Sequence, residues 1–172
     1  MVDLDSQIPG DHRARVVWAF VEALDLGDLY AGIRAQEGGP GRSPADPRIL
    51  LAVWLYATLE GIGSARQVAK ACGTDAAYRW LCGGVSMNYH GLSDFRVGHG
   101  ELLDRLLTEA VTGLVAEGLV SLEEVAIDGT KVKANAGRSK FRRAVTLERI
   151  EAAARERVTV LKSEVDSDPE GS

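Results

Sequence analysis

The sequence predicts a mainly α protein. A helical bundle with a helix-turn-helix-like cluster occupies residues 1–120, and a β-hairpin, a basic stretch and one amphipathic helix occupy residues 121–172. Three observations carry this. Apolar residues recur at three- and four-residue steps through most of the first 117 positions. Those segments are separated by glycines and prolines and preceded by Asp, Ser or Thr, the residues that cap helices. Near residue 120 the pattern changes to short β-branched runs around an Asp-Gly pair.

The first helix is expected over residues 11–30, where Val16, Val17, Phe20, Val21 and Leu24 share a face and Gly27 supplies a stop. A loop of Gly and Pro follows at 38–44. Asp46-Pro47 reads as an N-cap with proline at the first helical position. The helix from Pro47 to about Glu60 is apolar on most sides, as a central buried helix must be. Ser64 caps a helix that stops at Gly73, and Thr74 or Asp75 caps another that stops at Gly83-Gly84. Short helices joined by tight glycine turns make the helix-turn-helix-like cluster. Ser93 to Arg96 begins a further helical stretch, and a long helix runs from about Glu101 to Glu117, closed by Gly118. Val125, Ile127 and Thr130 to Lys133 suit strands. The last helix starts near Thr146, and its seam of Leu147, Ile150, Ala154, Val158, Leu161 and Val165 calls for a partner helix, with a second copy of the chain as one candidate through residues 146–165.

Composition narrows the function classes. At 172 residues and 45% hydrophobic content the chain has enough apolar surface for a real core. Its longest apolar run, Ile49 to Leu59, is far short of the ~20 residues that span a bilayer, so no membrane partner is expected. The acidic N-terminus is unlike a secretory signal, which leaves Cys72 and Cys82 as reduced thiols of a cytoplasmic protein. With His90 and His99 they lack the close spacing of structural zinc ligands. There is neither a glycine-rich phosphate loop nor a nucleophile elbow. Trp18, Trp54, Tyr56, Tyr78 and Trp80 are expected in the core rather than as base-stacking platforms.

The net charge of −5 hides an asymmetry. Of the 25 acids, 17 lie in residues 1–126, whereas the 20 bases divide evenly about that boundary. Lys131, Lys133, Arg138, Lys140, Arg142 and Arg143 form a strip with no acid, either a phosphate-attracting patch or a solvated loop. Arg66 and Gln67, near a helix N-terminus, have the chemistry to reach base edges, and Arg79 and Arg96 that to contact phosphates; all four equally suit the surface of a bundle. Asp128, at the end of an apolar run, is either a hairpin-turn residue or an oxygen ligand for Mg²⁺.

The ordered set LLAVWLYATLEGIGSARQVAKAC, YRWLCGG, LSDFR and VAIDGTKVKANA resembles the DDE-type transposases of bacterial insertion sequences. The resemblance implies a helical N-terminal domain over residues 1–120 and, over 121–172, the start of an RNase H-like α/β catalytic domain that is incomplete here. It implies that Asp128 is the first carboxylate of an Asp-Asp-Glu triad holding Mg²⁺, that Gly129 and Thr130 lead into the hairpin, and that the partner is double-stranded DNA bearing terminal inverted repeats. The triad's other two acids lie well downstream in that family. None of Glu148, Glu151, Glu156, Glu164, Asp166, Asp168 or Glu170 sits in a strand-like context that could replace them. The expectation is therefore the N-terminal part of a transposase, inactive in strand cleavage and transfer by itself. A DNA-end-binding or regulatory module, and a helical interaction domain with no nucleic-acid role, are the alternatives.

Overall fold

In the computed structural model, which describes residues 3–34, 45–125 and 140–166, every regular element is helical. After a 3-10 turn at Leu4–Gln7 come α1 (Arg13–Ala23), α2 (Gly27–Arg34), α3 (Pro47–Glu60), α4 (Ala65–Thr74) and α5 (Ala76–Leu81). They are followed by α6 (Tyr89–Gly98), α7 (Gly100–Ala116), the single turn α8 (Leu122–Val125) and α9 (Lys140–Asp166).

The molecule is built around α3. The Asp46 carboxylate accepts the Arg48 N–H at 2.8 Å, and Pro47 occupies the first turn, where its missing N–H costs nothing. Every residue from Leu50 to Leu59 is buried. Each fully buried Leu or Val there contributes about 1.5–3 kcal/mol. Helices α1, α2, α4, α5, α7 and α9 all pack against α3, so the uninterrupted apolar run has a neighbour on every side. Gly61 ends it at φ +76°, a conformation in which a side chain would be strained.

Caps set most of the other boundaries. The Ser64 hydroxyl accepts from Gln67 N–H at the start of α4, and the Asp75 carboxylate accepts from Ala77 and Tyr78 N–H at the start of α5. The first expected helix is two. Leu24 leaves the helical path at the end of α1, and the Asp25 carboxylate accepts from Gly27 N–H. Gly27 therefore opens α2 instead of stopping α1. Helix α6 starts four residues before Ser93, because the Asn88 side chain accepts from His90 N–H and caps it.

The C-terminal part departs furthest from expectation. No strand occurs among the described residues. Val125, expected to begin a strand, is the last residue of α8 and is buried. Its turn is held by reciprocal bonds: Glu124 N–H donates to the Ser121 hydroxyl at 3.2 Å, and Ser121 N–H to the Glu124 carboxylate at 2.8 Å. The rest of the expected hairpin, with Asp128 and Gly129, lies outside the described residues. Helix α9 begins at Lys140, six residues before the expected start at Thr146. Four residues of its seam are filled from within the chain, while Leu147 is exposed. Ile150, Ala154, Val158 and Leu161 are buried as α9 lies along α7, with further contacts to α3 and α8. Those side chains already have their partner helix, so they are not open to a second copy.

Candidate nucleic-acid interface

Of the two expected base-reading residues, the structure leaves one extended. Gln67 is exposed on the first turn of α4, and Lys70, one turn further along the same face, is exposed too. Arg66 is turned inward: its guanidinium lies 4.3 Å from the centre of the Tyr89 ring, joining α4 to α6. Arg79 is exposed on α5. Arg96 cannot serve as a phosphate contact, since it is only 3% exposed and stacks 4.6 Å from the Trp54 ring centre. A guanidinium tolerates such a place because it is planar and weakly hydrated. Trp54, wholly buried, also donates from its indole nitrogen to the Leu92 carbonyl at 3.3 Å, so α3 and α6 are tied together beneath the exposed face of α4.

The basic strip is divided. Lys131, Lys133 and Arg138 lie outside the described residues, as does Asp128. Lys140, Arg142 and Arg143 belong to the first turns of α9 and not to a loop, because the helix extends further towards the N-terminus than its apolar seam indicates.

Among the described residues no three His, Cys, Asp or Glu side chains converge as a metal would require. Cys72 and Cys82 are free thiols with sulfurs 3.3 Å apart, buried between α4 and the end of α5. The bond accepted from Cys82 favours the Cys72 thiolate, while that bond and burial push the Cys82 thiol up. No helix among the described residues is long and apolar enough to cross a membrane.

A family model described as a transposase domain (DUF772) matches residues 2–97, more than half of the chain. The chain belongs to this transposase-domain family. It matches no curated protein and no solved structure. The matched span closes within the last turn of α6, so the transposase domain comprises α1 to α6: the buried α3, the α4 face with Gln67 and Lys70, and the α6 ring that holds Arg66. Asp128 and the basic strip lie beyond it.

Two of the five aromatic residues expected in the core only border it. Trp18 and Trp80 are half-buried and line, with Ile49, Leu81 and Gly83, an open pocket of about 190 Å³. The Trp80 indole donates to the Asp5 carboxylate at 3.0 Å, and Arg15 stacks 4.9 Å from its ring centre. Arg15 also donates to the same carboxylate at 2.7 Å, and the two hydrogen bonds, Trp80 first and Arg15 second, hold the Asp5 carboxyl below its ordinary value. They pin the N-terminal 3-10 turn against α5. A single Trp in an amphipathic helix gives no sequence signal that separates a pocket wall from a core residue, whereas Trp54 sits in an unbroken apolar run.

Proposed function

We propose that this chain is the N-terminal part of a DDE-type insertion-sequence transposase, and that its helical domain binds the terminal inverted repeats of its element as double-stranded DNA. The single observation carrying this is the transposase-domain match over α1 to α6. The exposed pair Gln67 and Lys70 on α4 supports it, because an amide can read a base edge while an ammonium one turn away holds a phosphate. Lys131, Lys133, Arg138, Lys140, Arg142 and Arg143 are proposed as further phosphate contacts, with Arg66 a positioning residue that fixes α4 on α6. Asp128 is proposed as the first carboxylate of an RNase H-like centre and one oxygen ligand of Mg²⁺. One carboxylate does not hold two ions, so these 172 residues alone are proposed not to cleave or join DNA. The protein acts in the cytoplasm, where its DNA is.

The deciding experiment is binding of the chain to terminal-repeat DNA across a salt series. Affinity that falls steeply with salt and prefers the repeat over scrambled DNA is expected. The acid excess of residues 1–126 favours a second reading, a helical interaction module. That reading requires no DNA binding even at low salt. Nicking in Mg²⁺ that disappears in Asp128→Asn would overturn the proposed inactivity.

A further inference from the structure

Nothing in the DNA-binding reading uses the two cysteines, yet they are placed as a pair. Cys72 lies on α4 and Cys82 directly follows α5, so the two sulfurs come from different helices joined through the single cap residue Asp75. Their sulfurs stand 3.3 Å apart, both side chains are 2% exposed, and both are free thiols. A disulfide needs the sulfurs at about 2.05 Å, a closing movement of little more than an ångström for two helices linked by one residue.

We propose that Cys72 and Cys82 form a reversible intrachain disulfide that staples α4 to the end of α5 when the protein meets a hydroperoxide. The Cys72 thiolate attacks one peroxide oxygen. The O–O bond breaks, Cys72 becomes a sulfenic acid, and the other oxygen leaves with the proton released by the thiol, as an alcohol or, from hydrogen peroxide, as water. Cys82 sulfur then attacks the sulfenic sulfur, the S–O bond breaks, and the hydroxyl leaves as water with the Cys82 proton. The two sulfurs together give up two electrons to the peroxide, and a small thiol restores the pair. Cys72 takes the first role because it already accepts the Cys82 S–H. Burial makes the reaction wait on a local opening of α4 from α5, so it is slow with the folded chain. The consequence falls on the face that carries Gln67 and Lys70, since those residues share α4 with Cys72.

The full chain treated with hydrogen peroxide tests this through intact mass and thiol alkylation, neither of which depends on DNA binding. The expected result is loss of both alkylatable thiols, a mass lower by two hydrogens, a monomeric band without reductant, and full recovery with dithiothreitol. Cys82→Ser should trap the Cys72 sulfenic acid for capture by dimedone, and Cys72→Ser should leave no disulfide. Circular dichroism of both variants checks that the helices persist. Two thiols that stay alkylatable under peroxide concentrations that oxidise the urea-unfolded chain would show a packed, inert pair and overturn the proposal. Disulfides found only between chains would overturn it equally.

Discussion

Arg157, midway along α9, donates from its guanidinium to the main-chain carbonyls of Thr58 at 3.0 Å and Leu59 at 3.1 Å, the last turn of α3. The Thr58 oxygen also accepts from the capping Gly61 N–H at 3.3 Å, and both oxygens stand at the negative end of the helix dipole. A side chain nearly one hundred residues downstream therefore completes the central helix of the transposase domain. Arg157→Ala should lower stability by about 2 kcal/mol, since hydrogen bonds donated by a charged group are among the stronger ones. Arg157→Lys should recover only part, because an ammonium lacks the planar fork that spans two carbonyls. Gly61→Ala adds a second check. It strains a residue at φ +76° and brings a Cβ to 3.0 Å from the same guanidinium. Denaturant melts of the three variants measure both effects.

The approach of α7 to α1 depends on a missing side chain. A Cβ at Gly113 would stand 2.7 Å from the ring of Phe20. Mid-helix, Gly to Ala ordinarily gains about 1 kcal/mol in helix propensity. Overpacking against an aromatic ring costs about 1–3 kcal/mol, so the clash outweighs the gain. Gly113→Ala should therefore destabilise the protein, and Phe20→Leu in the same chain should reverse the sign of the Gly113→Ala effect. A thermal double-mutant cycle reads this directly.

How legible this was in the sequence varied with the kind of interaction. The buried helix α3 could be read because an apolar run preceded by Asp-Pro and closed by Gly leaves little choice of conformation. The caps at Ser64 and Asp75 were equally plain, being local. Gly27 misled because a glycine that ends one helix and one that begins the next look alike; the Asp25 carboxylate decides. Ser121-Leu122-Glu123-Glu124 carries the spacing of a reciprocal cap, yet the β-branched residues after it suit a strand equally well. Three-dimensional neighbours decided the rest. The seam of α9 announced a partner without saying that α7 of the same chain supplies it. Arg66 and Gln67 are adjacent in sequence, and in three dimensions Arg66 rests on the Tyr89 ring while Gln67 stays exposed.

Glu124 makes stability depend on pH in a defined direction. The Ser121 N–H and hydroxyl and the Arg13 guanidinium hold its carboxyl below the ordinary value of 4.5. Arg13 also reaches Glu60 at 3.1 Å, so one cation joins α1, α3 and α8. A carboxyl whose folded value is depressed contributes stability above its unfolded value and loses it as pH falls through the folded one. Glu124→Gln should therefore be less stable than the parent at pH 7. The difference should close as pH falls below about 4.5 and be absent once both forms are neutral. With the side chain 41% exposed, screening keeps the effect under about 1 kcal/mol. Chemical melts at pH 7, 5 and 3 measure it.

The proposed DNA face separates three neighbouring side chains by what each variant changes. Lys70→Ala removes one ammonium from an exposed position, so the slope of log affinity against log salt should fall by about 0.9 for one lost phosphate contact, equally on repeat and scrambled DNA. Gln67→Ala should leave that slope unchanged and narrow the preference for the repeat, because a lost bidentate base contact costs about 1–3 kcal/mol on the cognate site only. Arg66→Ala should act differently again. Its guanidinium rests on Tyr89, so the loss should show first as a lower melting temperature of the free protein, with the salt slope retained. Fluorescence anisotropy at four salt concentrations, with a melt of each unbound variant, distinguishes the three. A salt slope unaltered in Lys70→Ala would remove α4 from the interface and leave the basic residues between Lys131 and Arg143 as its site.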